Sequence, residues 1–146
     1  MLKLVVDTNL FVSALLKPQS NPTLIISLIL RGDGLLCLTD SILTEYADVL
    51  AREKFQGLDR AKVKEVLSKL KKLALWVAPK VSLHEVVQDP ADNAFLECAL
   101  EAKADFFITG NIHHFPFKKY RQTLIVTPAE FMAHIIERGL PPRRRR

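Results

Sequence analysis

The chain has little of what several enzyme classes need. Only five glycines occur among 146 residues, and they are scattered. No glycine-rich loop can therefore cradle a nucleotide phosphate. No serine sits in the glycine elbow of a Ser-His-Asp hydrolase. Two cysteines, Cys37 and Cys98, stand alone without metal-ligand spacing. They read as reduced core residues, the usage of a cytoplasmic protein. Long hydrophobic runs are missing too. The only sizeable one is Leu24-Ile25-Ile26-Ser27-Leu28-Ile29-Leu30, well short of the ~20 residues that span a bilayer. The first residues do not follow the order of a signal peptide. The expectation is a cytoplasmic protein with no membrane span. His113 and His114 are adjacent, which is poor spacing for joint ligation from one helix face, and their default reading is surface.

What is present is apolar. Hydrophobic residues make up 49% of the chain, enough for one ordered domain with a sizeable core. The net charge is +5, but Arg143, Arg144, Arg145 and Arg146 carry four of those charges. The rest of the chain is close to neutral, so overall charge argues only weakly for a nucleic-acid partner. Pro141 and Pro142 stop the preceding helix, and the arginines repel one another. The expected organisation is one domain over 1–140 and a basic, disordered tail over 141–146, with no internal repeat. The tail arginines are candidate nucleic-acid contacts.

Five short apolar runs, Leu4–Val6, Leu35–Leu38, Leu75–Val77, Phe106–Ile108 and Leu124–Val126, predict strands. None alternates cleanly, which fits a parallel sheet covered on both faces. Helical periodicity predicts helices over Thr23–Leu30, Ser41–Ala51, Arg60–Ala74 and Asp92–Lys103. A last helix is predicted from Pro128, with Thr127 as N-cap and Glu130 completing a capping box. On Arg60–Ala74 the lysines read as a solvated face. Alternating strands and helices mean an α/β fold.

Three acids fall where such a fold collects ligands, at the carboxyl ends of strands. Asp7 closes the run LKLVV; the bland alternative is a helix cap. Glu45 sits in the early turns of the second predicted helix, at the edge of its apolar stripe. By itself it reads as a solvated acid favoured by the helix dipole. Asp92 lies in QDPADN, a helix start with Asp89 as N-cap and Pro90 at the first helical position. Asp92 lies in line with Phe95, Leu96 and Ala99, the face that turns inward, and a buried acid needs a partner. Three converging carboxylates repel unless a cation lies between them. Hard oxygen donors suit Mg²⁺ or Mn²⁺, a chemistry that serves phosphodiester hydrolysis. Thr109 and Asn111 in FITGN also reach the carboxyl edge of the sheet, as turn residues or as supports for the acids.

The segments VVDTNLFVSALL, SILTEYADVLAREKF and QDPADNAFLECALEAKADFFITGN together resemble the PIN-domain proteins, in particular the toxin components of toxin–antitoxin systems. The resemblance runs in order from Leu2 to about Phe131. It implies a three-layer fold on a mainly parallel five-stranded sheet of order 3-2-1-4-5, and a Mg²⁺- or Mn²⁺-dependent ribonuclease. Asp7, Glu45 and Asp92 match the family's metal-binding catalytic acids, while Asn9 and Thr109 match supporting positions. The partners it implies are an RNA substrate, a cognate antitoxin protein and a second copy of the chain in a homodimer. The sequence departs from the pattern in one place. Many members carry a fourth acid just after the strand-four threonine, and here TGNIHHF offers Asn111 and His114. A catalytically inactive RNA-binding or interaction module stays open for that reason, as does an RNA-processing nuclease that is not a toxin. A haloacid-dehalogenase-like phosphatase fits poorly, because its second aspartate would fall on Asn9.

Overall fold

The computed structural model describes residues 1–52, 57–86 and 89–139. Strand β1 (Lys3–Val6) leads into α1 (Thr8–Leu16) and α2 (Asn21–Leu30). Next come β2 (Leu35–Leu38), α3 (Asp40–Leu50), α4 (Arg60–Leu73) and β3 (Leu75–Trp76). A 3₁₀ turn over Pro90–Asp92 opens α5 (Asn93–Ala102), followed by β4 (Phe106–Ile108) and a second 3₁₀ turn over Ile112–His114. The hairpin β5 (Lys119–Tyr120) and β6 (Thr123–Val126) then leads to α6 (Pro128–Arg138).

The sheet order is β3-β2-β1-β4-β6-β5. Every pairing is parallel except β5 with β6, which is antiparallel. The five predicted strands are all there in the expected order, and β6 is the expected fifth strand. Among the described residues the expectation of five strands is corrected to six by β5. That strand is two residues long, starts on a lysine, and is held by its partner's ladder rather than by an apolar pattern of its own. A second departure is α1. The segment LFVSALL is apolar almost all round, so it shows no stripe for periodicity to detect, and Leu10, Phe11, Val12 and Ala14 are buried.

In β1, Leu4, Val5 and Val6 are all buried. Successive side chains of a strand point to opposite faces, so both faces of the central strand are covered. Helix α5 lies against β1, β2 and β4, while α2 packs on α1, α4 and α6. Local chemistry sets the ends of these elements as expected. The Thr127 hydroxyl accepts from the Glu130 amide at 3.1 Å, and the Glu130 carboxylate accepts from the Thr127 amide at 3.0 Å. On α4, Val63 and Leu70 are buried and the lysines face solvent. No helix among the described residues is long and apolar enough to cross a membrane. The tail over 141–146, with Arg143 to Arg146, lies outside the described residues.

Candidate active site

Asp7 follows the last residue of β1 and is only 4% exposed. Its amide donates to the Ile108 carbonyl at 3.0 Å, which locks it to the end of β4. Its carboxylate caps α1 by accepting from the Asn9 amide at 3.1 Å. The capping reading and the site reading therefore hold together, since one Oδ caps and the other points across the sheet edge. There the fully buried Thr109 hydroxyl donates to Asp7 Oδ2 at 2.6 Å and itself accepts from the Asn111 amide at 3.0 Å. Residues 7 and 109 meet because β1 and β4 pair in register from Leu4–Phe106 to Val6–Ile108.

Glu45 reaches the same edge from α3. The Thr8 hydroxyl, adjacent in sequence to Asp7, donates to Glu45 Oε2 at 2.6 Å. Beneath it, Tyr46 stacks on Phe11 with ring centroids 4.7 Å apart. Its phenol donates to the Val6 carbonyl. Burial pushes that phenol well up from its ordinary value, and the charges of Asp7 and Glu45 push the same way.

Asp92 is 7% exposed. Its carboxylate makes no helix-capping bond, because Asp89 does that work by accepting from the Ala91 amide at 3.2 Å. Asp92 instead lies 2.8 Å, Oδ2 to Nδ1, from His114. Burial raises the Asp92 carboxyl above its ordinary value; the His114 hydrogen bond opposes this, and the charges of Asp89 and Asp7 add to it.

Of the expected residues, Asp7, Thr109 and Asn111 are joined in one hydrogen-bonded chain, Glu45 is bonded by Thr8, the sequence neighbour of Asp7, and Asp92 pairs with His114. Asn9 and Asn111 reach the others through their backbone amides. The default surface reading of His114 is replaced by a tertiary contact: the 3₁₀ turn over Ile112–His114 aims its ring at Asp92. The structure also brings in residues that the sequence argument left aside. Thr8 was legible in principle as the middle of DTN. Asp89 appeared only as a cap, yet Asp89, Asp92 and His114 offer ligand atoms that all lie within 4.8 Å of one another. Asp7 and Glu45 are not members of that tight group.

Among the described residues, none of these acids forms an ion pair with a lysine or arginine. A close group of carboxylates can be held together by a cation. Asp89, Asp92 and His114 offer two carboxylates and one imidazole close enough together that they could hold a metal ion.

The PIN domain family matches residues 3–113. An uncharacterized protein of Methanocaldococcus jannaschii is 30% identical over 112 residues, 75% of this chain and 71% of that protein. Among solved structures, a chain of the crystal structure of VapBC2 from Rickettsia felis, bound to a DNA fragment from their promoter, superposes with a TM-score of 0.54. That match is 13% identical, covers 86% of this chain and 98% of that one, and speaks to the fold alone. On its matched segments and its strand order, the chain belongs to the PIN-domain family.

Proposed function

We propose that this chain is a divalent-metal-dependent endoribonuclease, and that it serves as the toxin of a toxin–antitoxin pair. The observation that supports the reading best is the group Asp89, Asp92 and His114, whose ligand atoms lie within 4.8 Å of one another, with Asp7 and Glu45 held by threonine hydroxyls beside the end of β1. Asp7, Glu45 and Asp92 are the residues that would hold Mg²⁺ or Mn²⁺, with Asp89 and His114 beside Asp92. A bound ion of this kind acidifies a water and neutralises charge developing on a phosphodiester.

The chain's own residues orient the donors. Thr109 and the Asn9 amide fix the two oxygens of Asp7, Thr8 fixes Glu45, and His114 fixes Asp92. Such supporting contacts hold ligand carboxylates in place, and their loss typically costs about 10- to 100-fold in metal affinity. RNA is the substrate in this reading. The partners are a cognate antitoxin and a second copy of the chain, the latter read out as mass by light scattering. The fold shared with a chain of VapBC2 supports the antitoxin assignment at the level of architecture.

The test is cleavage of labelled RNA by purified protein with Mg²⁺ or Mn²⁺, against the same protein in EDTA and against Asp7→Asn. We expect cleavage only with metal and parent protein, with Asp7→Asn folded but inactive. Equal cleavage by Asp7→Asn, indifferent to EDTA, would refute the reading.

A further inference from the structure

After the 3₁₀ turn over Ile112–His114 the chain builds the β5–β6 hairpin at the end of the sheet. Lys118, Lys119 and Arg121 lie on this hairpin, and all three are exposed. Among the described residues none has a carboxylate partner. Two rings sit among these cations: Phe117 and Tyr120 pack with centroids 5.1 Å apart, and Arg121 lies over the Tyr120 ring at 5.9 Å. A groove of about 390 Å³ lies beside the hairpin, lined by Ile112, His113, Phe115, Phe117, Lys118 and Glu130 among others.

A backbone feature is independent of the charge. Arg121 has φ +55° and opens the two-residue turn between Tyr120 and Thr123. Hairpin turns of that length favour glycine or asparagine at such a position, because a Cβ crowds the carbonyl there. An arginine at this position is strained, and the strain points to a use for its side chain.

We propose that the β5–β6 hairpin is a docking surface for single-stranded RNA. In this assignment Lys118, Lys119 and Arg121 contact phosphates, and a base lodges beside Phe117 in the groove. The proposal rests on the ribonuclease reading and adds the path of the strand. Interleaved cations and rings fit a single strand better than a duplex. Phosphates need the cations, and a base can reach a protein ring only when it is free of its own stack. Edge-strand lysines also discourage pairing with other sheets; that role shows up in oligomeric state and not in RNA affinity.

The experiment measures binding of a fluorescein-labelled oligouridylate to the full chain by anisotropy, in EDTA, over a series of salt concentrations. For a single strand, each lost phosphate contact lowers the slope of log K against log salt by about 0.7. Arg121→Gly should lower it by about 0.7, and Lys118→Gln with Lys119→Gln by about 1.4. Arg121→Gly carries its own folding control. Glycine is at home at φ +55°, so its melting temperature should hold or rise while its affinity falls. Unchanged slopes in both variants overturn the hairpin assignment and leave the ribonuclease reading standing. Parent protein that binds RNA through these residues but never cleaves it with metal overturns the ribonuclease reading and keeps the surface. No measurable binding by the parent overturns the surface itself.

Discussion

Replacing Thr109 with valine keeps the shape of the side chain and removes a hydroxyl that makes two hydrogen bonds. The side chain is fully buried, with Asp7 Oδ2 at 2.6 Å and the Asn111 amide at 3.0 Å. A hydrogen bond to a charged group contributes about 1.5–3 kcal/mol. Asn111 is half-exposed, so water can replace the lost acceptor for its amide, and that loss stays near about 1 kcal/mol. The expected destabilisation is therefore about 2–4 kcal/mol. For a chain of this size, at about 3 °C per kcal/mol, the melting temperature should fall by roughly 6–12 °C. Thr109→Ser keeps the hydroxyl and loses a buried methyl group, at about 1 kcal/mol. The assay is thermal unfolding in EDTA of both variants, each in the parent and in an Asp7→Asn background. In Asp7→Asn the acceptor is neutral, so the valine substitution should cost less there, by about 1 kcal/mol of coupling. With the metal added back, Thr109→Val should bind Mn²⁺ about 10- to 100-fold more weakly, because Asp7 is no longer held. If valine melts at or above serine, or the cycle shows no coupling, the hydroxyl does not organise Asp7 and the reasoning fails.

In EDTA the raised Asp92 carboxyl has a definite sign. Its folded-state value lies above the unfolded one, so the fold is favoured while Asp92 is protonated and penalised as pH rises through the folded value. Asp92→Asn should match or exceed the parent's melting temperature at pH 7, with a gap that widens upward from about pH 4 and then levels; a gap that shrinks with pH contradicts this. His114 supplies a nitrogen donor beside Asp92, so calorimetry should show Mn²⁺ binding more tightly than Mg²⁺. His114→Asp and Asn111→Asp, made separately, should narrow that preference at whichever position faces the acids, and no change in either removes both side chains from the metal's surroundings. Burial pushes the Cys37 thiol up to about 12 and raises Cys98 as well. Both should ignore a disulfide reagent at pH 8 and react only in denaturant, and rapid native labelling would contradict their core placement.

Local patterns in the sequence determined most of the secondary structure. Short unbroken apolar runs marked β1, β2, β3, β4 and β6, because strands buried on both faces need apolar side chains on both. Thr127, Pro128 and Glu130 marked the start of α6 through bonds between near neighbours in the chain. Where local signal is weak, the pattern failed for a physical reason. Helix α1 has no polar face to set a period, and β5 is a two-residue ladder that exists because β6 is beside it. The site divides in the same way. That Asp7 and Asp92 turn inward could be read from apolar neighbours on the same element, but which groups meet them could not. Asp7 finds Thr109 across 102 residues, Thr8 finds Glu45 across 37, and Asp92 finds His114 across 22. Those partners are set by β1–β4 register, by the seating of α3 against α1, and by a 3₁₀ turn that aims one histidine of an adjacent pair. A sequence period reports which face of an element is apolar; the register between elements depends on packing and hydrogen bonding between segments far apart in the chain, and only the tertiary structure decides it.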